Sequence, residues 1–158
     1  ALNNMACEDI ELAMILAKTI KEIHHHVPGC TLEVLTPDFK GHSTSLEKVF
    51  LADPEIFSHN LECVERISKK VRTQSNWQRS LEVLRASANY GLRTKTGLMV
   101  GLGETFDELK KAIMDIRETQ CDILTIGQYL PPSKKHLNLR RYYTPDEFNQ
   151  LEEEAINL

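Results

Sequence analysis

Short apolar runs alternate with longer amphipathic segments along most of the chain, and this alternation constrains the fold more than any other feature. The apolar runs occupy residues 32–36, 56–59, 94–102 and 123–127. Segments with the three-to-four-residue apolar spacing of helices separate them. Strands joined by helical crossovers pair in parallel, and the crossovers are right-handed. The sequence therefore predicts an α/β fold with four neighbouring parallel strands, whose following loops share one rim of the sheet.

Local signals place the helices between these runs. A first helix is predicted over residues 8–24, ended by Pro28-Gly29, and apolar spacing from Leu61 marks a third. Capping-box patterns predict where the other helices begin. These patterns are Thr44 with Glu47, Ser75 with Gln78, Thr105 with Glu108, and Thr144 with Pro145 and Glu147.

Length and charge exclude several classes of protein. The 158 residues suit one domain but fall short of the roughly 250 that a complete eight-fold β/α barrel needs. A net charge of -4 offers no broad basic surface for nucleic acid or anionic lipid. The sequence contains neither a long apolar span nor a secretory signal, and the absent initiating methionine predicts an incomplete chain.

The cysteines Cys7, Cys30, Cys63 and Cys121 are too widely spaced for a zinc site or a close thiol pair. We expect reduced thiols and no metal site. The triplet His24-His25-His26 is expected at a surface helix end, and the isolated His59 is expected to be a hydrogen-bonded core residue.

Residues 97–104 are the most informative stretch, because glycines in and after a strand would let a flat ring lie against bare backbone. Glu104 could equally be a structural charge in the first turn of the next helix. The stretch is not a dinucleotide fingerprint, since position 106 is phenylalanine. At the preceding rim position, Glu62 could accept hydrogen bonds from ribose hydroxyls, or Asn60 and Glu62 could simply cap a helix.

Taken in order, five runs resemble the lipoyl synthase family of radical S-adenosylmethionine enzymes. The resemblance covers roughly residues 32–158 and leaves residues 1–13 poorly matched. It implies that the chain forms a single domain, residues 1–158, holding the third to sixth strands of a partial TIM-like (β/α) barrel. The runs are residues 33–41, 59–62, 97–104, 126–130 and 143–148.

The resemblance also implies a binding site for S-adenosylmethionine. Asn60 and Glu62 match the positions that hold its ribose and methionine parts. Gln128 and Tyr129 would complete the adenine side and face the substrate. The adenine itself would contact a motif consisting of Gly97, Met99, Gly101 and Glu104.

The family's reaction inserts two sulfur atoms at C6 and C8 of an octanoyl chain on a lipoyl-carrier protein. The implied carriers are the glycine cleavage H protein or a 2-oxoacid dehydrogenase E2, and the implied electron donor is ferredoxin or flavodoxin. Lys134, Lys135 and His136 lie in a basic loop that is either simply solvated or a docking surface for the acidic carrier. The implied location is the bacterial cytoplasm or an organellar matrix, without nucleic-acid or membrane partners.

The sequence departs from the family at its iron–sulfur ligands. The two four-iron clusters need cysteine motifs that do not occur in these 158 residues. We therefore expect an inactive part of a lipoyl synthase. The alternative is a non-catalytic module that binds adenosine ligands or carrier proteins. An incomplete barrel also leaves two sheet edges exposed, which predicts self-association.

Overall fold

A computed structural model describes the backbone of residues 2–157 and the side chains of residues 9–157. The four strands lie where the apolar runs predicted them, at β1 (Glu33–Leu35), β2 (Ile56–Ser58), β3 (Arg93–Val100) and β4 (Ile123–Gln128). The helices are α1 (Leu2–His26), α2 (Ser43–Phe50), α3 (Glu65–Val71), α4 (Trp77–Tyr90), α5 (Phe106–Arg117) and α6 (Pro145–Ile156).

The strands form one parallel sheet in the order β1-β2-β3-β4. This confirms the predicted α/β fold with four neighbouring strands and crossover helices, consistent with a partial radical S-adenosylmethionine barrel. The sheet is not closed, so β1 and β4 are both edge strands. Because all strands run the same way, the loops after β1, β2, β3 and β4 meet at one carboxyl edge.

Helices cover one face of the sheet and leave the other open. On β3, the side chains of Thr94, Leu98 and Val100 are buried towards the helices, whereas Lys95 and Met99 alternate onto the half-buried opposite face. In a closed barrel this second face would be the interior. Any ligand site at the rim is therefore built from the open face and the loops above it.

Helix boundaries confirm two of the predicted capping boxes and correct two others. Thr105 with Glu108 and Thr144 with Glu147 each form a complete box. The prediction at Thr44 is wrong, because α2 begins after His42 without a side-chain cap. The prediction at Ser75 is also wrong: the Asn76 side chain, one residue later, accepts the Arg79 N–H and caps α4.

The described thiols are all free, as predicted. Cys30 is exposed, while Cys63 and Cys121 are buried. The side chain of Cys7 lies outside the described residues. Within residues 2–157, no helix combines the length and apolarity that a membrane span requires.

Candidate functional site

Backbone strain marks the carboxyl edge of the sheet. Phe39, Lys40 and Glu62 have positive φ angles of 45°, 52° and 72°, which side chains other than glycine rarely adopt. All three lie directly after β1 or β2, whereas Asp53 and Gln120, with the same feature, lie in turns before strands. Strain of this kind persists where the surrounding structure fixes it, often at functional sites.

Glu62 extends the sheet beyond the end of β2. Its N–H donates to the carbonyl of Gly97 at 3.0 Å, and its carbonyl accepts the N–H of Met99 at 2.7 Å. The resulting bridge pairs Glu62 with Leu98. This pairing explains why α3 begins only at Glu65, later than the apolar spacing from Leu61 predicted.

The open face carries little side-chain bulk where β3 meets β4. A Cβ atom at Gly97 would lie 2.9 Å from Asn60 Oδ1 and 3.1 Å from Thr125 Oγ1, so these two polar groups flank the bare backbone. Two residues further along both strands, Gly127 pairs with Met99. A Cβ atom at Gly127 would meet nothing within 4 Å. The backbone of Gly97, Met99 and Gly127 thus forms an exposed surface bordered by polar groups, which we call the shelf.

Two polar side chains beside this shelf lack a hydrogen-bonding partner within the described part of the protein. Among the side chains of residues 9–157, neither the Asn60 amide nor the Glu62 carboxylate makes a hydrogen bond or ion pair, although both are half-buried. Neither side chain is among the buried polar groups that lack a partner, so their polar atoms are accessible to solvent or to a ligand. A carboxylate offers only acceptors, and an amide offers both donors and acceptors, so hydroxyl and amino groups of a ligand would satisfy them.

At Gly101 and Gly103, which follow β3, the requirement for glycine has a different physical cause. With φ at +101°, Gly101 has no room for a Cβ atom, which would clash with the Gln128 amide nitrogen and lie 2.6 Å from the Arg141 carbonyl oxygen. At Gly103 a Cβ atom would lie 3.3 Å from Arg140 Cγ. The protein itself, rather than a ligand, occupies the space next to these two glycines.

The remaining predicted contact residues shape the loops. Glu104 is buried, and its two carboxylate oxygens accept the N–H groups of Gly101 at 2.6 Å and Leu102 at 2.9 Å. Among the described residues, the Gln128 side-chain amide hydrogen-bonds only to backbone atoms. Tyr129 is buried and donates its hydroxyl to the Leu137 carbonyl at 2.9 Å. Glu104, Gln128 and Tyr129 thus have hydrogen-bonding partners within the protein, which the described residues do not supply to the Asn60 and Glu62 side chains.

Sequence reasoning missed Arg66, Thr125 and Gly127. Arg66 Nη2 donates to the Gly103 carbonyl at 2.9 Å, and its guanidinium pairs with Glu108. That ion pair, reinforced by the Thr105 N–H, lowers the pKa of Glu108 to about 2. Alternation along β4 could have placed Thr125 and Gly127 on the open face, but nothing local to Arg66 indicates its distant partners.

His59 is a core residue, as predicted. Its ring nitrogens contact the Thr36 carbonyl at 2.9 Å and the Ser80 hydroxyl at 3.0 Å, which ties the ends of β1 and β2 to α4. Burial lowers the pKa of this histidine. The neutral ring fixes the loop that carries Asn60.

Lys134, Lys135 and His136 are exposed in the loop between β4 and α6. A turn closed by the His136 N–H on the Ser133 carbonyl, at 3.1 Å, presents them together. Within the described side chains, neither lysine has an acidic partner. The loop therefore displays unneutralised positive charge at the rim.

The described residues hold no cluster of three or more His, Cys, Asp or Glu side chains that could bind a metal ion. Burial raises the pKa of the Cys63 thiol to about 12 and that of Cys121 to about 11. Metal ligation requires the thiolate, so these two cysteines are poor ligands. The donors present do not fit an iron–sulfur cluster.

A cavity of about 460 Å³ lies away from this rim. It lies on the outer side of β4 between α5 and α6, and Ile113, Leu124 and Leu151 contribute to its lining. Its lining also includes the charged residues Arg117, Asp122 and Glu152, and neither Asn60 nor Glu62 is part of it.

The chain is similar to known proteins of the radical SAM superfamily and, among them, to lipoyl synthases. The model of the radical SAM superfamily matches residues 5–116. The chain is 49% identical to a lipoyl synthase of Acidothermus cellulolyticus over 150 residues, which are 95% of this chain and 46% of that protein. It is 51% identical to a lipoyl synthase of Rubrobacter xylanophilus over 138 residues, 86% of this chain and 43% of that protein.

A eukaryotic relative, the mitochondrial lipoyl synthase of Nematostella vectensis, is 45% identical over 141 residues. The match covers 89% of this chain and 48% of that protein. The chain thus spans about half the length of the curated relatives it matches.

Proposed function

The chain belongs to the radical SAM superfamily, and from this premise we propose that it is part of a lipoyl synthase whose adenosine site is the Asn60–Glu62–Met99–Gly127 shelf. The observation that carries the proposal is the pair of unpartnered polar side chains, Asn60 and Glu62, beside exposed strand backbone. Superfamily membership implies S-adenosylmethionine and a four-iron cluster as cofactors of the complete protein.

The shelf fits the nucleoside of S-adenosylmethionine in shape and polarity. Gly127 and the backbone of Met99 leave space for a flat purine, and a Cβ atom at Gly127 would project into that space. The Glu62 carboxylate would accept the two ribose hydroxyls, and the Asn60 amide over Gly97 would hold the methionine part. Gly101, Glu104, Gln128 and Tyr129 would shape the adenine side of this site.

With its cluster reduced, bound S-adenosylmethionine supplies a radical that removes hydrogen from an unreactive carbon. The residues of this chain would bind and orient the nucleoside and keep water from it. In the proposed parent protein the substrate is an octanoyl chain on a lipoyl carrier, which receives sulfur at C6 and C8. The number of clusters and the electron donor, ferredoxin or flavodoxin, are part of the same proposal.

The cluster ligands are not among the described residues, which is why we propose that the chain alone is inactive. Reconstitution of the chain with iron and sulfide tests this directly. We expect no four-iron absorbance and no cleavage of S-adenosylmethionine, and the appearance of both would refute the proposal. If S-adenosylmethionine nevertheless binds, the chain could also serve as a non-catalytic adenosine-binding module.

The basic loop is the proposed docking surface for the acidic carrier domain. Lys134, Lys135 and His136 project from the same rim as the shelf, so a carrier bound there would hold its acyl chain near the nucleoside. Charge of one sign at such a rim speeds the approach of an oppositely charged partner. The proposed carriers are the glycine cleavage H protein and 2-oxoacid dehydrogenase E2 domains, in the bacterial cytoplasm or an organellar matrix.

Sulfur insertion tests the parent function. A complete polypeptide containing this chain, reconstituted with iron and sulfide, is incubated with S-adenosylmethionine, a reductant and an octanoylated carrier domain. Mass spectrometry should show two sulfur atoms added per acyl chain, and Glu62→Gln should reduce the yield. Cleavage of S-adenosylmethionine without sulfur on the carrier would support another radical enzyme instead.

A further inference from the structure

A five-residue segment, residues 139–143, lies across the glycine loop formed by residues 101–104. The Arg140 N–H donates to the Gly101 carbonyl at 2.8 Å. Leu139 Cδ1 lies 3.1 Å from the position of a Cβ atom at Gly101, and the Arg140 side chain lies beside Gly103. We call this segment the strap.

The Gln128 side chain joins the strap to the ends of both strands. Its Nε2 lies 3.1 Å from the Val100 carbonyl, 3.1 Å from the Tyr129 carbonyl and 3.3 Å from the Arg141 carbonyl. Its Oε1 accepts the Tyr143 N–H at 2.8 Å. Both ends of the amide therefore hydrogen-bond to backbone: the nitrogen to carbonyl groups of the two strand ends and the strap, and the oxygen to one strap N–H.

Further contacts hold the strap at both ends. Before it, the Tyr129 hydroxyl donates to the Leu137 carbonyl. Within it, the Arg141 guanidinium lies 3.7 Å above the Tyr143 ring and pairs with Glu147 in the first turn of α6. Tyr143 is buried, and its burial and the nearby Glu104 carboxylate raise the pKa of its phenol to about 12. Through Tyr143, the strap therefore lies near Glu104, the buried carboxylate that accepts the N–H groups of Gly101 and Leu102.

We propose that the strap sets the shape of the glycine loop and that Gln128 is the positioning residue that fastens it. Gly101 and Gly103 both have the positive φ that favours glycine, and the strap lies against both of them in this conformation. The inference rests on the proposed function only in that the loop borders the adenosine site. The strap itself can be tested in the ligand-free protein.

The test is amide hydrogen exchange in the ligand-free chain carrying Gln128→Glu. A carboxylate cannot donate, and it would face three carbonyl oxygens, so we expect roughly tenfold faster exchange in residues 101–104 and 139–143. Exchange in β2 should not change, which separates a local role from general destabilisation. Gln150→Glu, the same substitution on the exposed surface of α6, is the matched control.

Ligand binding provides the second readout. We expect S-adenosylmethionine to bind roughly tenfold more weakly to the Gln128→Glu chain. Weaker binding with unchanged exchange in residues 101–104 would overturn the proposal, because Gln128 would then contact the ligand directly. Unchanged exchange and unchanged binding would also overturn it.

A milder variant covers the case in which Gln128→Glu does not fold. Gln128→Met keeps the length of the side chain, removes all its hydrogen bonds and adds no charge, so the same exchange pattern is expected. If the wild-type chain binds no S-adenosylmethionine, the proposed function fails. The exchange data would still decide whether the strap holds the loop.

Discussion

The Met99 N–H donates to the Glu62 carbonyl at 2.7 Å, which fixes the Glu62 carboxylate beside the exposed backbone at the end of β3. In this position the Glu62 backbone has a positive φ of 72°. The conformation is costly for glutamate, and the two backbone hydrogen bonds to Gly97 and Met99 hold it in place. The proposed adenosine site depends on this relationship.

Replacement of Glu62 by glutamine tests the role of the carboxylate. Hydrogen bonds from ribose hydroxyls to a charged acceptor are worth about 1.5–3 kcal/mol, so affinity for S-adenosylmethionine should fall roughly tenfold to a hundredfold. Calorimetric titration measures the change. Glu65→Gln, on the exposed first turn of α3, should leave the affinity unchanged; equal effects of the two substitutions would remove Glu62 from the site.

Side chains added at Gly127 should block the shelf in proportion to their size. Because a Cβ atom at Gly127 meets nothing within 4 Å, Gly127→Ala and Gly127→Val should both fold with unfolding midpoints near that of the wild type. Alanine should weaken S-adenosylmethionine binding modestly, and valine should abolish it. Undiminished binding by the valine variant would show that the purine lies elsewhere.

The buried His59 predicts a pH-dependent free energy of unfolding. Burial lowers its folded-state pKa below the ordinary 6.5, so the unfolded chain takes up the proton first as the pH falls. Stability should be full above about pH 7 and decline as the pH drops through 6.5 towards the folded-state pKa, by at most about 1.4 kcal/mol per pH unit.

Urea denaturation between pH 5 and 8 measures this dependence. His59→Asn should lose that part of the slope and be less stable at pH 7, because the contacts to Thr36 and Ser80 are removed. His42→Asn, at an exposed position, should keep the slope. The same slope in both variants would assign the titration to another group.

Charge reversal of Lys134 and Lys135 to glutamate tests the docking surface. Association of the complete protein with an octanoylated carrier domain should slow at low ionic strength, and the difference should shrink as salt screens the charges. Reversal of the exposed pair Lys69 and Lys70 on α3 provides the control. Stopped-flow rates that respond equally to both reversals would indicate a general charge effect rather than a docking site.

The sequence predicted those features that are local or periodic. Apolar spacing placed the four strands, and the capping boxes at Thr105 and Thr144 were confirmed because their partners lie three residues away. The cap at Ser75 was wrong since Asn76, its neighbour, competes for the same role. Cap choice between adjacent polar residues depends on backbone geometry that composition does not specify.

Features that depend on distant residues could not be predicted. The sequence gives no sign that Gln128 and Arg141 fill the space at Gly101, or that Arg66 holds the Gly103 carbonyl. For the same reason, sequence reasoning grouped Glu104 and Gln128 with Asn60 and Glu62. Glu104 and Gln128 hydrogen-bond to backbone, whereas the side chains of Asn60 and Glu62 have no hydrogen-bonding partner among the described residues.

The most direct test of the account is a titration of the isotopically labelled chain with S-adenosylmethionine, followed by nuclear magnetic resonance. If the shelf binds the nucleoside, the largest shifts in amide resonances occur at residues 60–62, 97–101 and 127. Shifts confined to the groove between α5 and α6, or no shifts at the shelf at saturating ligand, would contradict it.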